Sequence, residues 1–395
     1  MTDPTITHCF YVSGADEREK ILPLHESLMA RGYDSEVTTD LTRPSRYGYF
    51  ACDSNHLFDY VSGKFNALPS SISIVMLHDL WQDNGIGTAY FDVCPWNLFN
   101  YAFLPGPRWS QLVLDAITAG RDMPLDGIAE IGWPCSDGFF NDSASFQTHV
   151  TELRQRLNLD VNKKTVLLAT AWTNRRHLDQ TLSKINSTEF QLIMKFPNYS
   201  STYTTEDPWS GVLTAQSHEG ALARRLASNH EGVKVAPDNC DIFALLSLSD
   251  VVVSNGSNIS LEAVLAGKPA VCIHDWWHPS GSHGQLKRYP RLDVEGVVHT
   301  TVKSLDSSIK LACSDVFRFQ VENGSAQLAS RSLRGNSCTE FVSLVKRIGS
   351  GQSLNLNPVN LTPIDEPPSL VETAQLRILD DLVSGSSLNF QSEDT

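Results

Sequence analysis

The feature that most constrains this chain is a repeated alternation. Short apolar runs stop at small polar residues, and segments with helical spacing follow, in both halves of the sequence. Runs such as "VVV" (Val251 to Val253) and "AVCI" (Ala270 to Ile273) are apolar without interruption. A strand that reads this way is covered on both faces. Strands of that kind alternating with helices imply parallel sheets flanked by helices, an α/β architecture.

The spacing predicts strands at "THCFYVS", "SISIVMLHD", "YAFLPG" and "IAEIGWP", with a helix over "EREKILPLHESLMARGY" ending at Gly32. After a helix in "ASFQTHVTELRQRLNL" the pattern restarts with strands "KKTVLLATAW", "FQLIMKFP", "GVKVAP", "DVVVSN" and "PAVCIHD". Helices are expected in "DIFALLSLS", "SLEAVLAG" and, last, "SCTEFVSLVKRIGSG". A chain of 395 residues exceeds one ordinary core, so two Rossmann-like domains are expected, over 1–150 and 151–349. Residues 350–395 read as an acidic, Pro- and Ser-rich tail or linker, with a docking helix in "SLVETAQLRILDDLV".

Composition narrows the function. A net charge of −14 argues against a nucleic-acid partner, because backbone-phosphate binding rests on Lys and Arg. No run of about 18 apolar residues is present, so at most peripheral membrane association is expected. The first residues lack the basic start and apolar run of a secretion signal, which points to the cytoplasm, with the inner face of the membrane as the place of contact. The eight cysteines are dispersed without a CxxC pair, so no metal is expected and the thiols are read as reduced.

Two facing doubly wound domains bind ligands beyond the carboxyl ends of their strands. The chemistry-bearing residues fall at such ends: His78 and Asp79, Thr170 to Trp172, Lys195, and the turn "SNGSN" from Ser254 to Asn258. In that turn Ser257 or Asn258 caps the next helix, Gly256 lets an anion approach the backbone, and the first-turn N–H groups attract phosphate. Glu262 follows one turn later, placed to take a ribose hydroxyl or to hold the loop. Arg175 and Arg176 offer guanidinium groups for bidentate phosphate contact. Asp241 is read as the cap of its own helix, and Trp276 or Trp277 as a stacking surface for a base or sugar.

The stretch "DIFALLSLSDVVVSNGSNISLEAVLAGKPAVCI" resembles the carboxyl-terminal signature of the CDP-glycerol glycerophosphotransferase group of teichoic-acid and capsule enzymes. "VMLHDLWQDNG", "FLPGPRWSQLVLDA", "EIGWPCSDGFF" and "LLATAWTNRR" resemble other segments of that group, in the same order, between about residues 70 and 275. The resemblance implies a GT-B fold, with the first domain on the acceptor side and the second on the nucleotide-donor side. Asp79 stands where the group has glycine, and Phe196-Pro197 where it has His-Pro. These departures move the expectation from glycerol phosphate toward a sugar.

The expected function is therefore a glycosyltransferase. Its donor is a nucleotide-activated sugar, cytidine-linked by preference, with CMP-3-deoxy-octulosonic acid as one case. Its acceptor is a hydroxyl of a cell-surface glycan or a lipid-linked precursor. His78, or Asp79 beside it, is the expected catalytic base. Arg175, Lys195, Asn255, Gly256, Ser257, Asn258, Ser260 and Glu262 are the expected donor-nucleotide and phosphate contacts, with no separate cofactor. Three alternatives stay open: a CDP-glycerol or ribitol-type transferase, a non-hydrolysing sugar-nucleotide epimerase, and an idle GT-B protein that binds glycan.

Overall fold

The computed structural model describes residues 6–12, 15–51, 68–77, 80, 96–120, 126–169, 175–196, 221, 224–225, 227–230, 232–237, 240–274, 277–280, 285–288 and 294–352. Within them the alternation of apolar runs and helices resolves into two six-stranded sheets whose pairings are all parallel.

The first sheet holds β1 (Ile6–Tyr11), β2 (Ser35–Thr38), β3 (Ser45–Phe50), β4 (Ser70–Met76), β5 (Tyr101–Leu104) and β6 (Gly127–Glu130), in the order β2-β1-β3-β4-β5-β6. Helix α1 (Ala15–Met29) joins β1 to β2, and α2 (Pro107–Thr118) joins β5 to β6. A short α3 (Asp137–Phe140) and the longer α4 (Ala144–Leu157) lead into the second unit.

There, β7 (Lys164–Ala169), α5 (Arg175–Leu182), β8 (Phe190–Lys195), β9 (Val233–Val235), α6 (Ile242–Ser247), β10 (Val251–Ser254), α7 (Asn258–Leu265) and β11 (Ala270–Ile273) follow in turn. An antiparallel hairpin, β12 (Trp277–Ser280) with β13 (Gln285–Arg288), precedes β14 (Val297–Thr300). Helices α8 (Leu305–Ala312), α9 (Arg318–Leu328) and α10 (Ser337–Gly349) close the described chain. No helix among the described residues is long and apolar enough to cross a membrane.

The second sheet runs β14-β11-β10-β7-β8-β9. From β7 the chain moves outward through β8 and β9, then returns to the other side of β7 for β10, β11 and β14. The strand order thus reverses between β7 and β10, which is where a crevice opens in such sheets. The central strands are buried as their apolar runs require: Val251, Val252 and Val253 are fully enclosed.

The packing ties the two units together on both sides of the limits expected from the sequence. A division at residue 150 falls inside α4, whose face of Phe146, Val150, Leu153 and Leu157 packs in one core with Phe243 and Leu246 of α6. Helix α10, expected with the second unit, returns to the first: Phe341, Val342, Leu344, Val345 and Ile348 share a core with Phe10, Ile21 and Leu24. Asp137 fixes that return, because its two carboxylate oxygens accept the backbone N–H groups of Ser337 (3.0 Å) and Cys338 (2.8 Å) at the start of α10. The junction is close at Gly106, where an added Cβ would lie 2.6 Å from the carbonyl oxygen of Leu328, so only glycine fits.

Candidate active site

The turn after β10 is held from below. Gly256 adopts φ +87, a conformation glycine takes at little cost, and its N–H donates to the Ser254 hydroxyl at 3.1 Å. Ser254 Oγ lies 2.5 Å from Ser260 Oγ, which in turn is 3.3 Å from Cys272 Sγ on β11. Burial pushes the Cys272 thiol up to about 11, so it stays protonated beside the two hydroxyls. Ser260, expected on the donor, is fully buried, and its hydroxyl is engaged in this network beneath the turn. Asn255 is buried as well.

Ser257 is the N-cap residue of α7, but its side chain makes no cap hydrogen bond and has no partner among the described residues. The cap position thus presents a free hydroxyl beside the N–H groups of a helix start, the arrangement that suits an anion. Asn258 reaches across to the first domain, where its Oδ1 accepts the backbone N–H of Leu80 at 3.0 Å. His78 and Asp79, expected to be catalytic, lie outside the described residues, as do Thr170 to Trp172 and Trp276. The backbone of Arg175 opens α5 just past the end of β7, and the side chains of Arg175, Arg176 and Trp277 are outside the described set.

Glu262 joins the two domains. Its Oε1 accepts a hydrogen bond from Lys20 Nζ on α1 at 2.6 Å and a longer one from Trp133 Nε1 at 3.4 Å. Lys20 Nζ also stands 5.8 Å from the Trp133 ring centroid, within cation–π range. The Glu262 carboxylate is almost fully enclosed and Lys20 about a quarter exposed, so the pair is a largely desolvated ion bridge. Oε2 of Glu262 accepts no hydrogen bond among the described residues.

Lys195 ends β8 on the same side of the sheet. Among the described residues its Nζ donates to the neighbouring Phe196 carbonyl alone, at 3.4 Å. Burial holds its pKa below the usual lysine value; Cys240, Glu19 and Glu262 oppose that effect, and Lys20 adds to it. A desolvated ammonium with no carboxylate bonded to it is a ready partner for an anion. Asp241 behaves as read from the sequence, its carboxylate accepting the N–H of Phe243 at 2.8 Å as the cap of α6.

Lys20 and Trp133, both of which contact Glu262, were not singled out from the sequence. Lys20 sits in a helix rich in charge and reads there as solvated. Trp133 does carry a signal, since it follows strand β6 in "EIGWP", at the carboxyl edge where ligand residues gather.

Two six-stranded parallel sheets with helices, tied together at Lys20–Glu262 and Leu80–Asn258, make a GT-B-like fold. Among solved structures, the wall teichoic acid polymerase TagF is similar to this chain with a TM-score of 0.56 at 14% identity, covering 88% of this chain and 90% of that one. The UDP co-structure of S. aureus MnaA is similar with a TM-score of 0.51 at 12% identity, covering 91% of this chain and 99% of that one. At such identities the likeness is one of fold. No protein-family signature and no curated protein matches the sequence.

Proposed function

We propose that this chain is a glycosyltransferase that moves a sugar from a nucleotide-activated donor to a hydroxyl of a glycan or lipid-linked acceptor. The observation that carries the reading is the turn at the order reversal of the second sheet. Among the described residues, Ser257 there has an unused hydroxyl at a helix start and the desolvated Lys195 ammonium has no ion-pair partner, and the first domain is bonded to this turn and its helix through Leu80 and Lys20. TagF and MnaA share the fold, which agrees with a nucleotide-linked substrate.

In this reading the donor phosphate sits on Ser257, the backbone beside Gly256, Lys195 and Arg175. Glu262 Oε2 takes a ribose hydroxyl while Oε1 stays on Lys20. His78, with Asp79 as the alternative, removes the proton of the acceptor hydroxyl. That oxygen then bonds to the anomeric carbon, the bond from this carbon to the donor phosphate breaks, and the nucleotide leaves with the electron pair. A cytidine-linked donor is preferred, and the work is placed in the cytoplasm at the inner face of the membrane.

A thermal-shift panel of CMP, CDP, UDP, GDP and their sugars tests the reading, since a ligand that binds only the folded state raises the melting point. Cytidine nucleotides are expected to give the largest shift, and sugar release from that donor should depend on an acceptor. A uridine preference with interconversion of a UDP-sugar and no transfer would replace the transferase by an epimerase. No shift with any nucleotide would leave only a glycan-binding role.

A further inference from the structure

The proposed reaction leaves one cavity of the second domain unexplained. It lies at the opposite, amino edge of the second sheet, where Lys164 opens β7, Asp250 precedes β10 and Lys268 precedes β11. Cys313 after α8, with Asp315 and Arg318 at the start of α9, completes its wall. The space is open to solvent and has a cavity volume of about 200 Å³, room for a small ligand group rather than a whole nucleotide. Ligands of doubly wound sheets bind at the carboxyl edge, so the cleft chemistry does not account for it.

Its charges are arranged unlike those of the surrounding surface. Three cations, Lys164, Lys268 and Arg318, line the cavity, and none of them forms an ion pair among the described residues. Lys310, elsewhere on the same domain, shows the ordinary arrangement: its ammonium lies 3.1 Å from Glu189 and 3.0 Å from Asp306. Lys164 donates instead to the carbonyl of Cys313 at 3.2 Å, which holds its ammonium against the cavity wall. Lys268 is half-buried, and burial lowers its pKa despite the charge of Asp250. Asp250 is not free to pair with it fully, because one carboxylate oxygen accepts the N–H of Thr165 at 2.7 Å. The lining carries three cations against the carboxylates of Asp250 and Asp315, in a chain whose net charge is −14.

The geometry points to a second anion site, in which Lys164, Lys268 and Arg318 bind the phosphate group of a small phosphorylated molecule. A phosphate offers three oxygens to three separate donors, and the planar guanidinium of Arg318 can meet two of them. The attraction of a dianion in the same space offsets the cost of removing water from Lys268. The carboxylates of Asp250 and Asp315 remain as acceptors for hydroxyls of an attached sugar or polyol.

The test is binding, followed by thermal shift and calorimetry at low ionic strength, where exposed cations are least screened. Inorganic phosphate, a hexose 1-phosphate and the free hexose are compared on the wild type, on the Lys268→Gln/Arg318→Gln double variant, and on Ser257→Ala as a cleft control. The phosphate-bearing probes are expected to raise the melting point of wild type and Ser257→Ala alike, with affinity reduced at least tenfold in the double variant. A larger effect of the hexose 1-phosphate assigns the pocket to a phosphate ester, and an equal effect of inorganic phosphate assigns it to the free ion. Absence of any shift, a shift unchanged in the double variant, or an equal shift with free hexose overturns the site. Protection of Lys268 from acetylation by the phosphate probe, read by mass spectrometry on wild type, gives a check that needs no variant to fold. No donor nucleotide is involved, so the result stands apart from that of the nucleotide panel.

Discussion

The Lys20 ammonium lies 2.6 Å from the Glu262 carboxylate, joining two residues 242 positions apart and on different domains. Removing one partner of a buried pair leaves the other charge uncompensated, at a cost of about 3–5 kcal/mol when both are fully enclosed. Lys20 is partly exposed, so Lys20→Met is expected to destabilise the protein by about 2 kcal/mol. Lys20→Met/Glu262→Gln should recover part of the loss, because the stranded carboxylate is then gone. Urea unfolding of the four proteins in a double-mutant cycle measures the coupling, and a Lys20→Met midpoint equal to wild type would show the bridge to be energetically idle.

Ser257 and Asn258 separate ligand binding from domain contact. The Ser257 hydroxyl has no partner among the described residues, so Ser257→Ala should weaken the preferred nucleotide by about 1.5–3 kcal/mol, the worth of a hydrogen bond to a charged group, with stability unchanged. Asn258→Ala should weaken nucleotide binding and also lower stability by about 1 kcal/mol, through its lost bond to Leu80. Calorimetric affinity beside unfolding curves checks both. Wild-type affinity in both variants would return the turn to an ordinary helix cap.

His78→Ala is expected to reduce turnover by about 10²–10⁴-fold, the usual effect of losing a general base, with nucleotide affinity near wild type. Asp79→Ala is its companion, because the neighbouring carboxylate is the other candidate. Turnover is measured with the donor identified by the panel. Full activity in both proteins would move the base elsewhere in the cleft.

His8 supplies a pH-dependent element of stability remote from the chemistry. Its ring is buried, stacks on Tyr47 at 4.8 Å between centroids, and places Nδ1 2.9 Å from the Tyr49 hydroxyl. Burial lowers its pKa from 6.5 to about 4. The unfolded chain therefore binds the proton more readily, and the His8 contribution is complete above pH 6.5 and is lost as pH falls toward 4. Over that window the loss amounts to about 3 kcal/mol. His8→Gln should flatten the stability profile between neutral and pH 4.5 relative to wild type. Parallel profiles for the two proteins would mean that the ring charges without penalty.

The residues explain which parts of this arrangement can be read from the chain. Strands β7, β10 and β11 are legible because burial on both faces demands unbroken apolar runs, as in Val251 to Val253. The turn at Gly256 is legible because a strand that stops at small polar residues before a helix needs that chemistry. Strands β2 ("SEVT") and β3 ("SRYGYF") escaped, since the first is an edge strand of half-buried residues and the second mixes Arg46 and Gly48 among its aromatics. The bond from Lys20 to Glu262 is invisible in a sequence window, because nothing local distinguishes a lysine that crosses a domain boundary from a solvated one. The destination of α10 is hidden for the same reason: its apolar face shows that it packs, and only the fold shows against what.

That destination has a consequence for how the protein comes into being. Phe341, Val345 and Ile348 occupy the core built on β1 and α1, so that core lacks its last wall until α10 has been synthesised. The strands of the second sheet lie between, so all of them are made before that face of the first sheet is covered. The order in which the two sheets begin and the order in which their elements are all present are therefore reversed.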